Sequence, residues 1–106
     1  MTLEQIWNEL KGRIAKKTEI LTWSADQGYL GERFIVVAVK DSQVHVAEAG
    51  AQQADKIPDA DFIAVLGIWG DYAEGKTKLA AVEKLTKYPK YVISILRSLE
   101  QPQPKQ

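Results

Sequence analysis

The sequence predicts an α+β domain: an N-terminal helix, a three-stranded antiparallel meander, and two to three C-terminal helices packed on one face. Three observations lead there. Apolar residues recur at helical spacing over the first sixteen positions, the period shortens to that of strands between 18 and 48, and helical spacing returns from Pro58 onward. No repeat or internal boundary interrupts the 106 residues, so 1–100 read as a single domain. The last six residues, QPQPKQ, read as a disordered tail, because two prolines among polar residues can neither extend a helix nor feed a core.

The first helix is expected over 2–16. Thr2 and Gln5 have capping-box spacing, in which each side chain satisfies the other residue's free backbone N–H. Leu3, Ile6, Trp7, Leu10 and Ile14 then make one apolar stripe, which Gly12 weakens without ending.

Thr18 to Trp23 is rich in β-branched and aromatic residues and reads as a strand. Asp26, Gly28 and Gly31 mark Ser24–Gly31 as a turn-forming stretch. The continuous apolar run Phe34–Val39 predicts a central strand buried on both faces. A polar link, Lys40 to Gln43, joins it to the alternating Val44–Glu48, and Gly50–Lys56 reads as a loop.

After Pro58, Asp59 or Asp61 can cap a helix whose stripe is Phe62, Val65, Leu66, Trp69, Tyr72 and Ala73. Gly67 and Gly70 predict a bend or break in it, and Gly75 a stop. Thr77 is placed to cap a short helix to Leu85, with Ala81, Val82 and Leu85 inward. Pro89 suits the first turn of a last helix that buries Tyr91, Val92, Ile95, Leu96 and Leu99.

Composition narrows the chemistry. At 45% hydrophobic and 26% charged residues the chain is an ordinary globular protein, and with no cysteine it has neither disulfides nor thiol-based sites. Phe34–Val39 is too short to span a bilayer, and the N-terminus lacks the apolar core of a signal peptide. A cytoplasmic protein without membrane contact is the expectation.

A formal net charge of zero hides a strong segregation. Residues 1–17 sum to +2, 18–74 to −7 with ten acids against three bases, and 75–106 to +5 with seven bases against two acids. The basic end coincides with a longer helix, a short helix, a tight link and a helix of about three turns. That outline is helix-turn-helix-like, its last helix poised for a DNA major groove. The outward face is expected to carry Lys87, Lys90, Ser94, Arg97 and Ser98, with Lys84, Lys76 and Lys78 nearby. Lys84, Lys87 and Lys90 would meet phosphates, while Ser94 and Arg97 would read bases. The link carries Thr86 where such motifs usually place a glycine.

Other constellations carry no chemistry. Asp59, Asp61, Asp71 and Glu74 are explained by helix capping and the helix dipole, so no metal site is expected. His45 alternates with Val44 and Val46, which predicts a surface histidine, and no nucleophile accompanies it. Gly75-Lys76-Thr77 resembles the end of a phosphate loop but follows a helix where that loop must follow a strand. No enzyme activity and no cofactor are expected. Trp7, Trp69, Tyr72 and Tyr91 fall on inner faces, whereas Trp23, Tyr29 and Tyr88 sit at element ends as partly buried aromatics, or together as a partner surface.

The functional expectation is a small non-enzymatic domain that binds nucleic acid, or regulates, through its basic end. The alternative is a protein-interaction or homodimerising module, with acidic middle meeting basic end and no nucleic-acid binding.

Overall fold

Thr2 and Gln5 open the first helix reciprocally in the computed structural model, which describes residues 2–16, 18–48 and 50–101. The Thr2 N–H donates to Gln5 Oε1 at 2.9 Å, and the Gln5 N–H to Thr2 Oγ1 at 3.2 Å. Helix α1 (Leu3–Lys16) then buries Ile6 and Leu10 completely, with Leu3, Trp7 and Ile14 packed around them.

The sheet has four antiparallel strands in sequential order, not three: β1 (Glu19–Ser24), β2 (Gly28–Lys40), β3 (Gln43–Glu48) and β4 (Asp55–Pro58). β4 occupies the end of the expected loop and pairs Ile57 with Val44 and Lys56 with His45. Four residues with one inward side chain, Ile57, show no alternation, and a proline is tolerated because β4 is an edge strand.

β2 begins inside the expected turn. Its register with β1 jumps between Leu21↔Arg33 and Trp23↔Tyr29, so Leu30, Gly31 and Glu32 all oppose Thr22. Gly31, at φ +87°, supplies the left-handed backbone such a bulge requires. A second register shift lies between Val36 and Ala38, and there Val37 is 40% exposed. The apolar run is therefore buried on one face only: Phe34 and Val36 point inward while Ile35 and Ala38 are half-exposed.

Four helical segments follow, where two to three were expected: α2 (Asp59–Leu66), α3 (Trp69–Ala73), α4 (Leu79–Glu83) and α5 (Pro89–Glu100). The predicted break falls at Gly67-Ile68, whose N–H groups turn back to Ala64 O and Val65 O. α4 starts two residues after Thr77 without a side-chain cap, and Leu85 is 36% exposed rather than inward. No described helix is long and apolar enough to cross a membrane. The expected tail lies, from 102 onward, outside the described residues.

One apolar cluster joins all of this. Ile20, Phe34, Val36, Val44, Val46 and Ile57 from the sheet meet Ile6 and Leu10 of α1, Phe62 and Val65 of α2, Trp69 and Tyr72 of α3, Val82 of α4, and α5. α5 packs chiefly on β1, and α1 on β2. Trp7 meets Phe62 edge to face at 5.6 Å, and Phe34 meets Tyr91 at 4.8 Å.

α5 is enclosed. Tyr91 to Leu96 are all buried, and six successive positions at about 100° each sweep more than one full turn of the helix. Ser94 and Ser98, expected on the outward face, are consequently 1% and 5% exposed. Ser94 Oγ accepts the Trp23 N–H at 2.9 Å, which satisfies a donor of the edge strand β1. Ser98 Oγ and O accept from the Arg13 guanidinium at 2.6 and 2.8 Å, tying α1 to α5. His45 is also corrected, to 9% exposed, on a strand that β4 makes interior by pairing Lys56 with His45.

Replacing Ser94 with Ala is expected to lower stability by about 1–3 kcal/mol, since it strands the buried Trp23 N–H. Urea unfolding measures it, and a loss below about 0.5 kcal/mol, the usual size of a surface effect, would contradict this role.

Candidate binding surface at the α4–α5 link

The link between α4 and α5, residues 84–88, is fixed by a side chain where helix-turn-helix motifs usually place a glycine. Thr86, 7% exposed, donates through Oγ1 to Asp61 Oδ2 at 2.8 Å and accepts the Tyr88 N–H at 3.0 Å. Asp61 of α2 thereby anchors the start of α5 across 25 residues of sequence. Pro89 then opens α5 as its first helical residue.

Lys84 and Lys87 project from this link and are exposed. They line a depression of about 480 Å³ with Lys56 and Pro58 of β4, Asp61, Glu83, Leu85, Thr86 and Tyr88. None of the three lysines has a carboxylate within ion-pair distance among the described residues. Asp61 is occupied by Thr86, which leaves Glu83 as the acid on the rim without a bond of its own.

The other expected site residues lie elsewhere. Lys90 Nζ sits 2.9 Å from Glu48 Oε1 and 3.2 Å from Glu32 Oε2, both from the acidic middle of the chain. Tyr91 OH donates to the same Glu48 oxygen at 3.0 Å, and the Lys90 ammonium lies 5.2 Å from the Tyr91 ring centre. The Arg97 guanidinium stacks 4.6 Å over the Trp23 ring, and its buried Nε has no hydrogen-bond partner in the described residues. Ser94 faces β1. The structure thus brings Lys84 and Lys87 together, adds Lys56, and commits Lys90, Ser94 and Arg97 to the fold.

Protonation follows from these contacts. Hydrogen bonds from Lys90 and then Tyr91 hold the Glu48 carboxyl below its ordinary range. The bond to Glu48 raises Lys90, outweighing the partial burial that opposes it. Burial first, and Glu48 second, push the Tyr91 phenol up to about 12. All three groups keep their usual neutral-pH forms, so the cluster is a strut and not an acid–base pair. No group of three or more potential metal-ligating side chains occurs among the described residues.

Lys56 was out of reach of sequence reasoning because its strand carries no periodic signal. The Thr86–Asp61 bond had no local signature either. With this geometry established, no protein-family model, no curated protein and no solved structure matches the chain.

The strut makes stability pH-dependent on both sides. Glu48 has a lowered folded pKa, so its contribution is present above the unfolded value of about 4.5 and is lost as pH falls through the folded value. Lys90 and Tyr91 have raised folded pKa values, so theirs are complete below about 10 and are lost as pH rises through the folded values, about 12 for Tyr91. Glu48→Gln is expected to flatten the acid limb of thermal unfolding and to bring one tyrosine's phenolate absorbance to lower pH. An unchanged tyrosine titration would refute the Tyr91–Glu48 bond.

Proposed function

We propose that the chain is a non-enzymatic protein-interaction module that docks an acidic segment of a partner protein at the α4–α5 link. The observation that carries this is the depression lined by Lys56, Lys84 and Lys87, none of them ion-paired among the described residues, together with Leu85, Pro58 and Tyr88, where these three cations outnumber the acids Asp61 and Glu83. Apolar and aromatic side chains beside charged ones make up the composition of a protein interface. Its charge favours a partner carrying Asp and Glu around an apolar anchor.

A protein partner is favoured over a nucleic acid by what happens to α5. A helix that reads the major groove needs a free face along its length, and this one is enclosed by its own core. Two cations of the expected contact surface are engaged inside the molecule, one by two carboxylates and one by an indole. Lys84 and Lys87, joined by Lys56 of β4, would give a duplex only a weak, salt-sensitive hold.

Fluorescence anisotropy with a panel of short acidic peptides bearing Leu or Phe anchors tests the proposal, alongside an arbitrary DNA duplex and sedimentation of the protein alone. Saturable peptide binding that weakens about tenfold, or about 1.4 kcal/mol, in Lys84→Glu and Lys87→Glu is the expected result. Self-association abolished by the same variants also supports it and names a second copy as the occupant. Duplex binding tighter than peptide binding, with a log–log salt slope of about −3 or steeper, overturns it. So does the absence of both peptide binding and self-association.

A further inference from the structure

A second cavity, of about 490 Å³, lies between the β1–β2 turn and the link from α3 to α4. It is lined by Ala25, Asp26, Tyr72, Gly75, Thr77, Lys78, Leu79 and Ala80. The volume lies in the range of small-molecule sites, which are mostly apolar with a few fixed polar groups. Its walls hold themselves in place. On one side the Gln27 N–H is taken by Ser24 Oγ at 3.2 Å. On the other, Gly75 at φ +81° turns the chain so that its N–H reaches Tyr72 O at 3.0 Å and the Lys76 N–H reaches Asp71 O at 2.8 Å.

Tyr72 is the polar group built into this cavity. It is 2% exposed, and its ring packs edge to face on Trp23 at 6.3 Å and tilted on Trp69 at 6.0 Å. Its hydroxyl oxygen accepts the Ala25 N–H at 3.2 Å, while its own hydrogen has no acceptor among the described residues. Burial above all, helped by the charge of Asp26, pushes this phenol's pKa up, so it remains a donor at neutral pH. A buried hydroxyl with a spare hydrogen beside a cavity is half of an unmade bond.

Two opposite charges share the cavity with that hydroxyl. Asp26 and Lys78 line the same cavity, yet neither pairs with the other nor with any other charged group among the described residues. Leu79, 38% exposed, and the exposed Ala80 leave apolar surface uncovered beside them. A ligand that satisfies all of this carries one positive group, one negative group that accepts hydrogen bonds, and an apolar arm.

We propose that this cavity is a binding site for a free α-amino acid with an aliphatic side chain. Its carboxylate is taken by Lys78 and the Tyr72 hydroxyl, its ammonium by Asp26, and its side chain lies on Leu79, Ala80 and Ala25. The site is independent of the lysine depression at the α4–α5 link, so either can fail without the other.

The neighbours of Tyr72 supply the readout, because occupancy next to it alters the surroundings of Trp23 and Trp69 and hence their fluorescence. Titration of the intact protein with leucine is expected to give a saturable change with a Kd no weaker than about 1 mM. Glycine, 4-methylpentanoate and leucinamide, which lack in turn the apolar arm, the ammonium and the carboxylate, are each expected to bind about tenfold more weakly or worse. Asp26→Asn and Lys78→Ala alter exposed residues without partners in the fold, so both should keep the thermal midpoint and lose leucine affinity. Tyr72→Phe should weaken it further. No saturable response to leucine, binding of the three analogues as tight as that of leucine, or unchanged affinity in both surface variants would each overturn the proposal.

Discussion

The enclosure of α5 is the constraint on which the other features rest. A helix with six successive buried side chains cannot lie on a surface, so the sheet and the remaining helices have to pack around it. Its apolar residues supply dispersion and water exclusion. Most of its few polar groups find partners inside, the Arg97 Nε excepted among the described residues, since a buried donor or acceptor left alone costs as much as a good contact contributes. Ser94 answers the Trp23 N–H, Ser98 answers Arg13, and Tyr91 answers Glu48. Those bonds tie α5 to β1, α1 and β3, so this enclosed helix also sets the relative placement of the others.

Charge segregation along the chain acquires a meaning within the fold. The acidic middle holds Glu32 and Glu48 on neighbouring strands, and the basic end brings Lys90 between them. Part of the asymmetry that suggests an external polyanion is therefore neutralised within the molecule. What is left for a partner is smaller and more local: the lysines around the α4–α5 link, one of them contributed by the edge strand β4. The two candidate surfaces share a design, since each lies where a loop made rigid by its own hydrogen bonds meets another element. Such placements join the precision of a scaffold to the exposure of a loop.

Legibility differed by the range of the interaction. The capping box at Thr2, the stop at Gly75 and the start at Pro89 are local, and each appears where the residues place it. The stripes Ile6–Leu10, Phe62–Val65 and Val92–Leu96 were visible because one periodic face meets one core. β4 was invisible, as an edge strand of four residues offers no alternation to see. Its absence from the expected sheet propagated, exposing His45 on paper and hiding Lys56 from the site. Ser94 was misplaced by a different route: helical periodicity assumes one wet face, and the middle of α5, Tyr91 to Leu96, has none.

The chain by itself determined where its first and last helices begin, which residues repel water, and that a meander separates two helical regions. These follow from backbone sterics, capping and periodicity within a few residues. Tertiary structure decided the fate of the polar side chains, because their partners lie far away in sequence: 42 residues from Glu48 to Lys90, 58 from Glu32 to Lys90, and 71 from Trp23 to Ser94. A serine or a lysine looks alike at every position of a helix until a neighbour arrives, and only folding brings that neighbour.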